Sequence, residues 1–473
     1  MMLWRAISVF LVTVFLVGTF ANAYVIHAQG IPTVFVSPSG SGGGSCENPD
    51  YNAIQTALDH AASGDMVIVC PGIYDEAVSI NVLSLTLTGM PGAVIQPTGS
   101  AIAAVYVGGV EDVAVQGFQI DLTHGDVTFG IYVLDTHGGE ISRNTTPSIL
   151  LTRSTGLIVR ENLIPDSQTV GIFLDDVDNT ALENNEVINA MGSLWILNAR
   201  NLLVNGNFFG FVRDDNDFNV QFGSLNPPLG LVSDSVFSNN LVRDCYRQCL
   251  RLDGVARVSI ESNSFIGNNR VPGWQIHPTN ASDLIIRNNR LVPETGLAAL
   301  GIGFLGSIDE PWNAGYIENV VVDNNLINNT MNGVVFEPDR TPVRHQHMTV
   351  RDNRFSFVGW GGESSAIYFA GGSDINIMGN YIDVTHASSV GGIDVVNGAS
   401  RVVISNNTIL QASGTFGIRT RSDPFFDGEI SHNNITMLTE ADGQVIVGIR
   451  SDPGPNADTD LTKYEFPYDT RNV

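Results

Sequence analysis

Four polar residues stand at alternate positions on two neighbouring repeats of this sequence. Arg251 and Asp253 belong to one repeat, and Gln275 and His277 belong to the next. Alternate residues of a strand face the same side, and neighbouring strands lie about 4.8 Å apart. Two stacked strands would therefore bring a guanidinium, a carboxylate, an amide and an imidazole together. Such a set can bind an acidic group and exchange a proton.

Two reactions on polysaccharides fit these residue types. A lyase neutralises a uronate carboxyl, removes the C5 proton and protonates the leaving oxygen. We assign the first role to Arg251, proton exchange to His277, and orientation of His277 or cation coordination to Asp253. A hydrolase needs two carboxyls roughly 5–9.5 Å apart. Asp175 and Glu337 are the outer catalytic candidates, although each lies several repeats from Asp253.

The same outward-facing series contains three substrate-binding candidates, Gln221, Gln275 and Tyr368. Trp274 has the opposite strand phase, which predicts a place in the core. The competing interpretation of the whole series is a solvated strand face that carries a chance ion pair. Under the catalytic interpretation, replacing the acid or the imidazole abolishes turnover and leaves stability nearly intact, since neither side chain fills the core.

The element that positions these residues is a short repeated pattern: apolar, any, apolar, any, any, Asn, any, apolar. It recurs at intervals of 22 to 36 residues, a range that indicates a solenoid with one structural unit per repeat. The short alternating apolar runs favour strands over helices. The pattern is centred on Asn162, Asn185, Asn207, Asn240, Asn263, Asn289, Asn325, Asn353, Asn380, Asn407 and Asn433.

Asn suits a tight corner between strands because it tolerates the left-handed backbone region. Stacked corners would also let the side-chain amides hydrogen-bond to one another along the axis. The pattern thus predicts an all-β solenoid whose Asn residues line one corner.

These repeats resemble those of the pectin-lyase-like superfamily. In each unit the Asn is followed by an apolar strand, a variable loop and a strand such as Gly171-Ile-Phe-Leu174 or Gly392-Ile-Asp-Val395. The resemblance implies a right-handed parallel β-helix over roughly residues 33–450. It says little about chemistry, because one fold hosts many activities. The Asn-Thr-Asp, Gly-His-Gly and Arg-Ile-Lys signatures of polygalacturonases and the Asp-Pro-His signature of mannuronan epimerases are absent.

The termini suggest the domain organisation. Residues 1–23 have the charge, apolar stretch and Ala-Asn-Ala site of a signal peptide. The competing interpretation is an uncleaved anchor, although an apolar stretch of about 15 residues is short for spanning a bilayer. Residues 24–50 form a lead-in. Residues 51–450 form the β-helix, with a cap helix over 51–62 that covers the open sheet end. Residues 451–473 form a tail or end cap after a segment rich in Pro and Gly.

Four cysteines fit an exported protein. Three pairings are open. We expect Cys46 to bridge Cys70, because that link ties the cap helix to the first coil. Cys245 and Cys249 are close enough in sequence for a local bridge.

The formal charge of −26, with one lysine against 22 arginines, argues against nucleic acid as a partner. It also disfavours unassisted binding of polyanionic glycans. No second long apolar stretch follows the signal, so we expect no stable membrane insertion after cleavage. We assign no metal site. Calcium is a candidate only at the acidic runs 214–217 and 456–460.

The sequence therefore predicts an exported, carbohydrate-directed β-helix protein that is secreted or on the cell surface, with a polysaccharide as its partner. The leading hypothesis is a polysaccharide lyase or glycoside hydrolase. The alternative is a non-catalytic surface or matrix protein that binds glycans through the same face. A periplasmic accessory protein for metal insertion is a weaker third option, because no Met, His or Cys cluster is present.

Overall fold

The computed structural model describes the greater part of the chain. The described residues are 32–40, 42–213, 218–223, 231–267, 273–293, 299–305, 317–337, 345–356, 364–385, 390–396, 399–411, 416–421, 427–437 and 447–451. The predicted signal peptide, both calcium candidates and most of the C-terminal tail lie outside these ranges.

The described chain is built almost entirely from parallel strands that pair from one coil to the next. Thirty strands form the largest sheet: Thr33–Val36, Met66–Val69, Val78–Ile80, Thr86–Gly89, Ser100–Gly108, Glu111–Gln116, Asp126–Leu134, His137–Ser142, Ile149–Thr155, Ile158–Arg160, Val170–Asp178, Ala181–Glu183, Gly192–Ile196, Ala199–Arg200, Leu203–Asn205, Phe218–Gly223, Val232–Ser238, Gln248–Glu261, Gly273–Arg287, Ala299–Leu305, Ile317–Asp323, Val334–Glu337, His345–Arg351, Ser364–Ala370, Ser373–Met378, Val390–Val396, Ser400–Ser405, Phe416–Arg421, Asp427–Ser431 and Val447–Ser451.

Two smaller sheets close the coils on another side. A three-stranded sheet contains Gly72–Tyr74, Ala93–Ile95 and Gln119–Ile120. An eleven-stranded sheet contains Leu163–Pro165, Glu186–Ile188, Phe208–Gly210, Leu241–Arg243, Ser264–Ile266, Arg290–Val292, Leu326–Asn328, Arg354–Ser356, Tyr381–Val384, Thr408–Gln411 and Asn434–Met437. Single bridges of Thr145 to Gln119 and to Leu163 connect the two sheets. The predicted all-β parallel β-helix is confirmed.

The core runs through the centre of the coils as stacks of like residues. Leu250 pairs with Ile276, Ile276 with Ile302, and Ile302 with Val334. All four side chains are fully buried. Because every coil places an apolar residue at the same depth, the interior is a continuous hydrophobic column along the axis.

The Asn series forms the predicted ladder along one corner. Each side-chain Nδ2 donates to the Oδ1 of the next Asn at 2.9–3.1 Å. Each Nδ2 also donates to a backbone carbonyl of the preceding coil, for example Asn263 to Phe237 at 2.8 Å. The ladder begins one coil earlier than predicted, because Asn144 donates to Asn162 at 3.1 Å.

The conformational reason given above for Asn at this corner is wrong. The residue in the left-handed region is the one before each ladder Asn, with φ between 51° and 70°; these residues are Arg143, Glu161, Asn184, Gly206, Asn239, Ser262, Asn288, Asn324, Asp352, Gly379, Asn406 and His432. No ladder Asn has a positive φ. Asn is required there because its buried amide satisfies backbone groups of neighbouring coils.

A short helix and a disulfide close the N-terminal end. The helix spans Ile54–His60, slightly less than the predicted 51–62, and packs Ile54 and Leu58 into the core. Glu76 caps it, since its carboxylate accepts hydrogen bonds from the backbone N–H groups of Ile54 and Gln55 at 2.7 and 2.9 Å. Among the described residues, no helix is long and apolar enough to cross a membrane.

Both expected disulfides are present. Cys46 and Cys70 have a Cα–Cα distance of 5.6 Å, so the loop before the cap helix is tied to the strand after it. Cys245 and Cys249 form the local bridge, with a Cα–Cα distance of 5.2 Å. Two bridges are typical of proteins that fold outside the reducing cytosol.

Candidate functional site

One line of side chains on the outside of the largest sheet, which we call the outer row, contains one residue from each of eight consecutive coils. The strand registers pair each member with the next. Sequence neighbours on either side of these residues belong to the core, so alternation points the row outward. Its members are Tyr106, Tyr132, Leu150, Phe173, Trp195, Gln221, Arg251 and His277.

The first half of the outer row is apolar and mostly aromatic. Tyr106, Tyr132, Phe173 and Trp195 are half-buried, and the two tyrosine rings lie 5.6 Å apart. The Trp195 indole contacts Gly192, where an added Cβ would come within 2.5 Å of the indole nitrogen.

The second half of the outer row is polar and contains a buried ion pair. Arg251 Nε donates to Asp253 Oδ2 at 2.6 Å, and the two side chains are only 9% and 3% exposed. The other carboxylate oxygen, Oδ1, accepts a short hydrogen bond from the Thr279 hydroxyl. The guanidinium also lies over the Phe218 ring, 4.6 Å from its centroid. The pair thus faces away from the core, as predicted, but it is covered.

His277 stands beside Arg251 on the next strand, as predicted. Its Nδ1 lies 2.8 Å from Gln248 Oε1, and its buried Nε2 has no hydrogen-bond partner among the described residues. Burial, with a smaller contribution from the Arg251 charge, lowers the pKa of His277 from 6.5 to about 3. The imidazole is therefore neutral at physiological pH.

Three further residues complete this cluster and were missed in the sequence. Trp274, predicted for the core, instead stacks on His277 with ring centroids 6.2 Å apart. Its indole occupies the space that a side chain at Gly303 would fill. Gln248 and Thr279 supply the hydrogen bonds described above. Pro278, next to Thr279, was the available signal, since Pro in a strand often marks a bulge and the pairing register shifts there.

The other predicted site residues are not all gathered here. Gln221 pairs with Arg251, and its Nε2 donates to the Gly223 carbonyl at 3.2 Å. Gln275 is fully buried, with Oε1 3.5 Å from Cys249 Sγ.

The remaining three candidates stand several coils from the cluster. Asp175 is on the coil of Phe173, three coils before Arg251, and Tyr368 is three coils beyond His277. At about 4.8 Å per coil, each separation is roughly 14 Å. Glu337 ends the strand Val334–Glu337, two coils beyond His277. Its side chain lies outside the described part of the chain.

A second buried ion pair lies beside Tyr368, further along the same face. Arg419 donates from Nη2 and Nε to both carboxylate oxygens of Asp394, at 2.6 and 3.1 Å. The Asp394 side chain is 1% exposed, and Arg419 lies 4.0 Å from the centroid of the Phe416 ring. Arginine over a phenylalanine ring with a carboxylate partner thus occurs twice on this face.

A cavity of about 590 Å³ lies elsewhere, at the corner that follows the Asn ladder in three early coils. Asp121, Thr145 and Gln168 are among its lining residues. Both carboxylate oxygens of Asp121 are already bonded, to Thr123 and to Gln96. Across the described ranges, no group of three or more His, Cys, Asp or Glu side chains is placed to hold a metal ion.

Comparisons with known proteins give a partial family match and several distant structural similarities. Residues 59–211, less than half of the chain, match the family model described as periplasmic copper-binding protein (NosD). No curated protein sequence matches significantly.

Three solved structures illustrate the structural similarities. XylC in complex with xylose is 10% identical with a TM-score of 0.42, covering 68% of this chain and 75% of that one. PfbA, a surface adhesin of Streptococcus pneumoniae, is 12% identical with a TM-score of 0.41, covering 83% and 89%. A mannuronic acid-specific polysaccharide family 6 lyase from human gut microbiota is 11% identical with a TM-score of 0.42, covering 82% and 89%. Similarities at this level do not assign a function to this chain.

Proposed function

We propose that this chain is an exported, carbohydrate-directed β-helix protein that binds a polysaccharide along the outer row. One observation carries the proposal: a run of outer-row residues, half-buried aromatic rings apart from the buried Leu150, leads coil by coil into a planar amide, a guanidinium and an imidazole. Sugar rings have apolar C–H faces and hydroxyl rims. Aromatic faces suit the first and planar polar groups suit the second.

The geometry supports binding better than hydrolysis by the predicted carboxylates. Asp175 and Asp253 lie three coils apart, roughly 14 Å, which exceeds the roughly 5–9.5 Å that paired carboxyls need. Catalysis by proton abstraction is the second candidate, and one observation favours it. The Nε2 of His277 lacks a partner among the described residues, as a proton acceptor should before substrate binds.

Copper does not follow from the family match. Within the matched residues 59–211, the histidines and the carboxylates do not form a group of three, and Cys70 is held in a disulfide with Cys46. This donor set does not fit a copper site. We therefore propose no copper-dependent step. Export is supported by the two disulfides and by the N-terminal sequence.

The test is binding and turnover on an array of neutral and acidic polysaccharides, measured for wild type and three variants. Trp195→Ala removes a ring from the row. Tyr381→Ala removes a half-buried ring from the eleven-stranded sheet and is the matched control. We expect wild type and the Tyr381 variant to bind alike and the Trp195 variant to bind on the order of tenfold more weakly.

Two outcomes would change the proposal. Equal loss in both variants, or no binder for wild type, would contradict it. Turnover that disappears in His277→Ala while binding remains would establish the catalytic candidate. Detection of unsaturated uronates by absorbance would identify a lyase product.

A further inference from the structure

We infer that the glycan bound along the outer row is uncharged and that uronate polymers are excluded. The inference rests on the proposed function and names its substrate class. On this face, both arginines whose side chains are described are already paired with buried carboxylates. Arg251 is paired with Asp253 at 2.6 Å, and Arg419 is paired with Asp394 at 2.6 and 3.1 Å.

A uronate carboxylate would have to compete for these guanidinium groups. The side chains of Asp253 and Asp394 are 3% and 1% exposed. Separating such a pair leaves a buried charge without its partner, which costs several kcal/mol. A substrate carboxylate that approached from outside would thus meet an ion pair whose net charge is zero.

Two further titratable groups, His277 in the row and Asp175 beside it, do not add positive charge. His277 is held neutral by burial and by the Arg251 charge, which together lower its pKa to about 3. Asp175, on the coil of Phe173, is only partly buried and accepts a hydrogen bond from the neutral amide of Asn198 at 3.3 Å. It therefore contributes a negative charge beside the aromatic half of the row.

Seven arginines at the corners of the coils are also paired with acids. Each makes an ion pair with an Asp or Glu of a neighbouring coil; these residues are Arg153, Arg160, Arg200, Arg257, Arg287, Arg351 and Arg401. With a net charge of −26, the long-range field repels polyanions. Hydroxyl groups of a neutral glycan meet no such penalty.

The decisive experiment uses one polymer in two forms. A polyuronate and its carboxyl-reduced derivative share backbone and linkage, and they differ only in carboxylate against primary alcohol. Both are added to the glycan array and measured by calorimetry at about 20 mM and about 500 mM NaCl, where screening differs strongly. We expect every array binder to be neutral, with affinity that changes less than about twofold with salt.

A charge-reversal variant supplies an independent arm. Asp175→Lys places a cation beside the row, and Asp59→Lys makes the same net change on the exposed face of the cap helix. We expect the first variant, and not the second, to gain binding to the polyuronate at low salt.

The outcomes separate the two proposals. Salt-sensitive binding of wild type to the polyuronate, at least as tight as to the reduced polymer, overturns the inference and leaves the proposed function intact. A lack of binding to every array member overturns the proposed function itself. An equal gain in both lysine variants would show that net charge, rather than the charge of this face, excludes uronates.

Discussion

The Asn ladder and the outer row both place one residue per coil along the axis, yet they differ in what is repeated. The ladder repeats the same residue, and each Asn satisfies backbone groups of the coil before it and the amide of the coil after it. The outer row is apolar and mostly aromatic as far as Trp195 and then changes chemistry at every coil. Repetition of one buried polar residue indicates a structural role. Buried polar residues that occur in only one or two coils, as at Arg251 and His277, indicate a specific role.

The largest effect should come from the ladder. Asn263→Ala removes the side-chain partner of the N–H and the Nδ2 of Asn240 and of the Phe237 carbonyl, while Asn289 Oδ1 keeps the backbone N–H of residue 263. At roughly 1–3 kcal/mol for each buried unsatisfied group, the free energy of unfolding should fall by about 4 kcal/mol in chemical denaturation. Asn239→Gly, at the adjacent left-handed position, is the control and should cost less than about 1 kcal/mol. A ladder variant that behaves like this control would refute the structural role.

The second largest effect should come from breaking the buried ion pair between Arg251 and Asp253. Asp253→Ala leaves Arg251 buried without a carboxylate, and unfolding free energy should fall by about 3 kcal/mol. Because Arg251 and Asp253 are buried, the prediction that replacing the acid leaves the stability of the protein nearly intact is wrong. The double variant Arg251→Met with Asp253→Leu should recover most of the loss, because no charge is then left unpaired, while glycan binding stays impaired. If the double variant is no more stable than the single one, the pair itself stabilises the fold.

His277 gives a smaller, pH-dependent effect. Its pKa is about 3 when folded and about 6.5 when unfolded, so the unfolded chain binds the extra proton between these values. The stability that the folded protein has while His277 is neutral is present above pH 6.5. It is lost as the pH falls toward 3, by at most about 1.4 kcal/mol of unfolding free energy per pH unit. Between pH 6.5 and pH 5, wild type should lose about 1.6 kcal/mol more than His277→Phe. Parallel pH profiles for the two proteins would show that His277 does not titrate this way.

The smallest effect belongs to the exposed ion pairs at the corners. Arg257 bonds Asp234 through both Nε and Nη2, in the same bidentate manner as Arg419 and Asp394. Both side chains are exposed, so water and salt screen the pair. Arg257→Ala should therefore leave the melting temperature unchanged at physiological ionic strength. A measurable loss would mean that burial does not decide which ion pairs matter here.

The sequence predicted the repeated features well and the unique ones poorly. The ladder was readable because the pattern recurs. Asn144 was not recognised as a ladder residue because Gly139 and Thr146 stand where the pattern requires apolar residues. Strand alternation correctly placed Arg251 next to His277. It misplaced Trp274, because alternation gives a direction from the strand and says nothing about where a long side chain folds back over a glycine.

Burial of the cluster was also beyond the sequence. Alternation assigns a residue to the inner or outer side of the sheet, and the outer side is normally solvated. Phe218 lies against Arg251, Thr279 donates to Asp253, and Gln248 and Trp274 contact His277, each from a different position along neighbouring strands. Such convergence depends on side-chain conformations that no periodic pattern encodes.

The Asn ladder keeps the same geometry in coils of very different length. Successive ladder residues are between 18 and 36 positions apart in sequence, yet their amides meet at 2.9–3.1 Å throughout. Extra length in a coil is therefore absorbed without disturbing the corner. The two longest intervals, before Asn240 and before Asn325, flank the Arg251 and His277 coils. The length of a coil and the geometry of the ladder can thus be altered independently of each other.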